Sequence, residues 1–321
     1  RRHNREDICP EGDQDKNPRG ANSGMKKSVR FALVVCAFSW LAFFIFYACS
    51  GFEIKSSLSF TLFATVYMFF PLLTAFALQK INREPLRSTG LLKFKPSWTW
   101  ATAIVLPLLI CLLVTLVSAL MPGVHFHYGA EQILSMQSGL DETSATVMQA
   151  QLANLPPAVM ILSTLVSAVF AGCTINAVAA FGEEYGWRNY LASALRGKSF
   201  MKSALFIGIE WGIWHFPLIL CGHNYPQHPG IGVPMMVIFC ILLGIIELYL
   251  VKKAGSVYPA AIFHGTINAS VGTTLFLVNG GNDLTIGVTG LAGFISLGII
   301  IILIWAYDRY VSRDLIFSSP L

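Results

Sequence analysis

Two adjacent glutamates and an arginine lie at the end of a long apolar segment, as Glu183, Glu184 and Arg188. Ionisable side chains in a membrane helix are costly, so a functional role is their first interpretation. Glu184 and Arg188 are four residues apart and can pair on one helix face. That pairing leaves Glu183, about 100° round the helix, as a general base or acid. The alternative interpretation is a charged inner helix end whose side chains reach the water.

A second candidate is a lone histidine within a later apolar segment, His215. A buried histidine needs a hydrogen-bonding partner. Pro217 has no backbone N–H, so it predicts a local bend of the helix close to His215. The alternative is a structural histidine that bonds to a neighbouring helix.

The third candidate is a histidine and an asparagine four residues apart, His264 and Asn268, which project from one helix face. Their side chains could donate hydrogen bonds to a developing oxyanion. Gly265 would let another helix approach closely. The alternative is polar contact between helices.

The three candidates together favour a hydrolytic site, in which a glutamate activates water beside histidine and asparagine donors. The sequence has neither the Gly-x-Ser-x-Gly motif of serine hydrolases nor the His-Glu-x-x-His motif of zinc proteases. Glu183, His215 and His264 could still supply three ligands to zinc, with the fourth position open. The sequence does not separate this zinc site from a metal-free one.

Two further acids lie in apolar segments, Glu210 and Glu247. We expect Glu247 to reach the inner surface of the membrane. Glu210 has apolar neighbours and could orient a histidine.

The elements that must position these residues are membrane helices. Of the 321 residues, 55% are hydrophobic and 12% are charged, too few charges for a soluble surface of this size. Apolar runs long enough to cross a bilayer predict an all-α bundle of about eight transmembrane helices. The predicted spans are 31–50, 57–79, 99–121, 157–181, 203–221, 231–251, 255–277 and 285–307.

The distribution of basic residues supports this count. With both termini in the cytoplasm, 21 of the 22 Lys and Arg residues fall on the inner side, and only Lys55 lies outside. The net charge of +5 therefore reflects topology, and it does not indicate a nucleic-acid partner. We interpret the seven cysteines as apolar core residues. Residues 1–24 are predicted to be a disordered polar extension, and 25–321 a single membrane domain.

At these residues the chain resembles the CAAX protease and bacteriocin-processing family of intramembrane proteases. That family is marked by Glu-Glu-x-x-x-Arg, an aromatic residue four positions before His, and His-x-x-x-Asn. Here the motifs begin at Glu183, Trp211 and His264, in the family's order, and the resemblance covers about residues 157–275. Position 211 is Trp where the family pattern usually has Phe.

The resemblance implies cleavage of peptide bonds within the bilayer. It implies that Glu183 activates the water with the help of His215, and that His264 and Asn268 stabilise the oxyanion. Glu184 and Arg188 would support them. Members are often called metalloproteases, but a metal-free glutamate mechanism is equally compatible with these residues.

Two other classes of function are weighed against a protease. One is a non-catalytic membrane scaffold or bacteriocin-immunity protein of the same fold, which the retained polar residues argue against. The other is a transporter, which ranks last because the polar residues are confined to one half of the chain. The expected partners are the lipid bilayer and a membrane-associated protein or peptide substrate, and the short loops favour the bacterial plasma membrane.

Overall fold

A computed structural model describes residues 18–51, 57–129, 132, 146–147, 150 and 156–321. This part of the chain is almost entirely helical, as predicted, and its two short strands, His125–Phe126 and Val278–Asn279, pair antiparallel. The α-helices are α1 (Pro18–Cys49), α2 (Ser57–Tyr67), α3 (Phe70–Ile81), α4 (Trp98–Ala119), α5 (Pro157–Cys173), α6 (Ile175–Glu184), α7 (Ala192–Ala194), α8 (Phe200–Trp214), α9 (Phe216–Leu220), α10 (Pro229–Ala254), α11 (Tyr258–Ser270) and α12 (Leu291–Ala306). A π-helical segment follows α6 (Tyr185–Leu191), and another follows α12 (Tyr307–Ser312). One 3-10 turn follows α11 (Val271–Thr274), and a second lies near the C-terminus (Ile316–Ser318).

Five helical stretches in the described ranges are long and apolar enough to cross a membrane, namely Gly24–Cys49, Leu58–Ile81, Trp98–Ala119, Pro229–Ala254 and Leu291–Ser312. A sixth would be the broken pair Pro157–Cys173 and Ile175–Ala194, which bends by 47°. The chain is therefore a multi-pass membrane protein. The count of eight spans and the cytoplasmic location of both ends remain predictions.

The helix that ends just before His215 and the helix that carries His264 are shorter than their predicted spans. α8 has 15 residues and α11 has 13, and a helix of 13 residues extends only ~20 Å. The hydrocarbon core of a bilayer is about 30 Å thick, so α11 does not cross it alone.

Two boundaries differ from the predicted ones. α1 begins at Pro18, so it includes the end of the segment 1–24 that was expected to be disordered, while residues 1–17 lie outside the described residues. The fourth helical segment continues beyond the predicted end at residue 181, through Tyr185–Leu191, to Ala194. All residues from 182 to 192 are buried, so this polar stretch packs inside the bundle.

Close backbone contacts bring the site-bearing helices together. A Cβ atom added at Gly212 of α8 would lie 2.5 Å from the Cα atom of Val237 in α10. A Cβ atom added at Gly265 of α11 would lie 2.6 Å from the backbone nitrogen of Ala177 in α6. The expected close approach at Gly265 is thus present, and small residues allow these helices to pack at short distance.

The helix break predicted from Pro217 lies at His215. α8 ends at Trp214 and α9 begins at Phe216. Pro217 has no N–H to donate to the Ile213 carbonyl four residues earlier, which interrupts the regular ladder. Carbonyls at such a break need other donors inside a membrane protein. The Trp214 carbonyl accepts hydrogen bonds from the Tyr67 hydroxyl at 3.0 Å and from Trp40 Nε1 at 3.2 Å.

Candidate active site

The two adjacent carboxylates are the last residues of α6 and lie in the interior. Glu183 and Glu184 are 3% and 0% exposed. The chain runs directly into the buried π-helical segment Tyr185–Leu191. Such π-helical turns are rare and frequently occur at functional sites. The carboxylates therefore lie within a continuous helical run, and the alternative of a charged end in water does not describe them.

Arg188 lies between two carboxylates. Its Nη1 donates to Glu184 Oε1 at 3.0 Å, which is the pairing predicted from their spacing. Its Nη2 forms an ion pair with Glu247 Oε2. The guanidinium carbon lies 4.1 Å from the centroid of the Trp211 ring, an additional cation–π contact. Arg188 is fully buried, and these contacts compensate its charge.

Trp211 of α8 contacts the side chains of several site residues. Its Nε1 donates to Glu183 Oε2 at 2.5 Å. Its ring centroid lies 5.8 Å from that of His215 and 5.4 Å from that of His264. The indole thus contacts residues of α6, of α11 and of the break between α8 and α9. The sequence singled out Trp211 only as an aromatic motif residue, and its hydrogen bond to Glu183 was not foreseen.

The contacts of His215 define its tautomer. Its Nδ1 lies 2.8 Å from the Trp211 carbonyl, which can only accept, so Nδ1 carries a proton. In the neutral ring, Nε2 then has the free lone pair. Cys240 Sγ is also near, 3.8 Å from Nδ1. The ring is therefore held through one nitrogen, and the other is suited to accept a proton.

His264 is held by a carboxylate. Its Nδ1 lies 2.9 Å from Glu184 Oε1, so Glu184 accepts from both His264 and Arg188. Glu247 Oε1 lies 3.8 Å from the same Nδ1. His264 is 4% exposed, and its Nε2 is the nitrogen that remains for another partner.

The expectation for Glu247 is wrong. It does not reach the membrane surface; it is 0% exposed and pairs with Arg188. The reason is its depth, because α10 continues for seven residues beyond Glu247, to Ala254. Seven residues of helix extend ~10 Å. The true end of α10 is marked by Lys252, Lys253 and the left-handed Gly255 cap, a signal that could have placed Glu247 inside.

Asn268 and Glu210 do not take part in the hydrogen bonds and ion pairs described above. Asn268 lies one turn after His264 on α11, and its side chain is exposed. Within the described ranges it has no protein hydrogen-bond partner. Glu210 is half-buried and lies near Cys36 of α1. The suggested contact between Glu210 and a histidine is not among the hydrogen bonds of the described residues.

The structure gathers a possible metal-binding group that differs from the predicted one. Glu184, Glu247 and His264 each place a ligand atom within 4.8 Å of the others, close enough to hold an ion. Carboxylate oxygen and imidazole nitrogen are ligands that zinc accepts. However, these carboxylates already pair with Arg188, and His264 Nδ1 faces Glu184. An ion would have to displace the guanidinium, so the group fits a metal poorly while Arg188 is in place.

A further histidine borders the site from the loop after α9. His223 packs edge-on against Phe60, with ring centroids 5.7 Å apart. Burial lowers the pKa of His223 to about 4, because the charged ring would lose its hydration. His223 is therefore neutral near pH 7 and adds no positive charge beside His215.

Known proteins are similar to this chain over the segment that contains the site residues. Residues 163–270 match the family described as type II CAAX prenyl endopeptidase, Rce1-like. A curated relative, CAAX prenyl protease 2 of Methanococcus maripaludis, is 32% identical over 140 aligned positions, which cover 36% of this chain and 52% of the relative. The match thus spans about half of the relative's length. The resemblance seen in the motifs is confirmed, since residues 163–270 match the Rce1-like CAAX prenyl endopeptidase family.

Proposed function

We propose that this protein is an intramembrane endopeptidase that hydrolyses a peptide bond near the C-terminus of a membrane-associated protein. The observation that carries the proposal is the convergence of Glu183, Arg188, His215 and His264 on the indole of Trp211. These side chains come from three segments that are far apart in sequence. Buried ionisable groups of this kind are costly, and a bundle retains them where they act on a substrate.

Glu183 is proposed as the general base that activates water. Its Oε2 is held by Trp211, and no protein donor contacts its Oε1 among the described residues. The water oxygen would bond to the scissile carbonyl carbon while its proton passes to Glu183. His215 would assist through Nε2, the nitrogen that its bond to the Trp211 carbonyl leaves free. Collapse of the tetrahedral intermediate breaks the C–N bond and returns a proton to the leaving amine.

His264 and Asn268 are proposed to stabilise the oxyanion. They lie on one face of α11, one turn apart, which is ~6 Å along the axis. The exposed amide of Asn268 is available to a substrate. A protonated His264 would donate from Nε2 while Nδ1 remains on Glu184. Glu184 and Arg188 are proposed to hold that ring in place.

The proposed mechanism is of the metal-free glutamate type. Arg188 supports it, because this residue already supplies a positive charge between Glu184 and Glu247. The competing proposal is zinc held by Glu183, His215 and His264. Metal analysis of the purified protein and its variants separates the two.

The proposed substrate class is a C-terminal Cys-a-a-X sequence, in which the cysteine carries a prenyl group. The printed name and family of the relative support this class. A lipid-modified C-terminus would also be held at the membrane, where this chain resides. We propose the bacterial plasma membrane as the location, which membrane fractionation would test.

The test is cleavage by the purified protein in lipid vesicles. The substrates are a prenylated Cys-a-a-X peptide, its unprenylated form, and a peptide with the same residues placed internally. Glu183→Gln should reduce cleavage at least about 100-fold, the usual contribution of a general base. Glu84→Gln is the matched control, because Glu84 pairs with Lys27 and is partly exposed. Full cleavage by Glu183→Gln would remove Glu183 from the mechanism, and no cleavage by the parent of any peptide would favour a scaffold.

A further inference from the structure

Glu247 is a buried acid that the proposed reaction does not use directly. It is the single acidic residue of α10 and is 0% exposed. An ionised carboxylate in a bundle interior is very costly unless it is paired. Its place in the structure therefore depends on the groups around it.

α10 both pairs with the Arg188 guanidinium and leaves space for it. Glu247 Oε2 pairs with Arg188 Nη2. Gly244, one turn earlier on α10, leaves space for the same group, since a Cβ atom added there would lie 3.1 Å from Nη2. One residue of α10 thus binds the guanidinium, and another makes room for it.

The two ends of the guanidinium are held by different helices. Nη1 donates to Glu184 of α6, and Nη2 meets Glu247 of α10. With both ends fixed, Glu184 Oε1 accepts from Arg188 at 3.0 Å and from His264 at 2.9 Å. Glu247 Oε1 also lies 3.8 Å from His264 Nδ1. Four residues from four elements therefore form one connected network that ends on the ring of His264.

We infer that Glu247 is a positioning residue, which fixes Arg188 and through it the Glu184–His264 hydrogen bond that orients the His264 ring. This inference rests on the proposed hydrolysis for its catalytic consequence. The network itself stands on geometry alone. Loss of Glu247 would leave the guanidinium with one carboxylate, and Glu184 would then be drawn away from His264.

The first test is Glu247→Gln in the vesicle cleavage assay. Gln keeps the size of the side chain but removes its charge. The expected result is a fall in kcat of about tenfold to 100-fold, as for partners that orient site residues, with KM unchanged. Glu84→Gln, which removes an ion pair outside the site, should leave kcat at the parental value. A Glu247→Gln variant with parental kcat would overturn the positioning role.

The second test needs no activity and compares Tm for Glu247→Leu with the double variant Arg188→Met/Glu247→Leu. Removing one member of a buried ion pair is strongly destabilising, whereas removing both is much less so. We expect Tm to fall by several degrees in the single variant and to recover in part in the double variant. A double variant whose Tm is as low as that of Glu247→Leu, or lower, would overturn the inferred network. If the parent cleaves nothing, the proposed function fails, and the Tm comparison still decides whether Glu247 holds Arg188.

Discussion

The indole Nε1 of Trp211 donates a 2.5 Å hydrogen bond to Oε2 of Glu183, the carboxylate proposed to activate water. A bond to a charged acceptor is stronger than one between neutral groups, and it holds one oxygen in a fixed direction. The family pattern usually has phenylalanine at this position, which has an aromatic ring but no donor. This chain therefore adds a hydrogen bond where the motif requires only a ring.

Trp211→Phe should lower kcat about tenfold and leave KM nearly unchanged. The ring that packs on Arg188 and both histidines is retained, while a hydrogen bond to a charged group, worth roughly 1.5–3 kcal/mol, is lost. Steady-state kinetics on the best cleaved peptide measure the effect.

The matched control is Trp187→Phe. Trp187 is fully buried and packs on Phe31 and Trp214, but its Nε1 has no hydrogen-bond partner within the described part of the chain. Removing an unpaired N–H should cost little. Equal loss of kcat in both variants would show that the Trp211 effect is one of packing.

His215→Asn separates the structural interpretation of this histidine from the functional one. The Asn amide can replace Nδ1 as donor to the Trp211 carbonyl, so Tm should stay close to that of the parent. Nothing replaces Nε2, so cleavage should fall at least about 100-fold. Parallel thermal unfolding and activity assays give the answer. Retained activity would favour a structural histidine.

Asn268→Ala should reduce kcat about 100-fold with no change in Tm. Loss of one oxyanion donor typically costs 10²–10³ in kcat. The side chain is exposed and has no described protein partner, so the fold does not depend on it. Activity equal to the parent would remove Asn268 from the proposed oxyanion site.

Chelation of metals should leave cleavage intact. Arg188 lies between the carboxylates of the group that comes closest to a metal site, which makes a resident ion unfavourable. Dialysis against EDTA, followed by metal analysis and assay, tests this expectation. Activity that is lost and then restored by zinc would contradict it. Loss of bound zinc in Glu183→Gln would then identify the ligand set predicted from the sequence. Loss of zinc in Glu247→Gln would identify the group of Glu184, Glu247 and His264.

Local patterns in the sequence predicted part of this site. The four-residue spacing of Glu184 and Arg188 gave their ion pair, and Pro217 gave the helix break at His215. Apolar runs gave the helical membrane fold. Each of these follows from neighbours along one helix, which is the information that spacing contains.

Contacts between helices could not be predicted in the same way. Glu247 was expected in water because its partner, Arg188, lies 59 positions away on another element. The hydrogen bond from Trp211 to Glu183 likewise joins α8 to α6. The short lengths of α8 and α11 were also missed, since the apolar residues of α9, and those at 275–278 after α11, extend their hydrophobic runs. Hydropathy alone does not show where a helix bends.

The hydrogen bonds to the Trp214 carbonyl connect the helix break beside His215 to residues near the N-terminal end of the chain. Trp214 precedes His215 by one residue, and the two donors to its carbonyl are Tyr67 and Trp40. Both donors lie outside residues 163–270, the part that matches the family. A fragment of residues 163–270 would lack both donors and leave this carbonyl without them at the helix break. We therefore expect a fragment of residues 163–270 to be less stable beside His215 than the full chain.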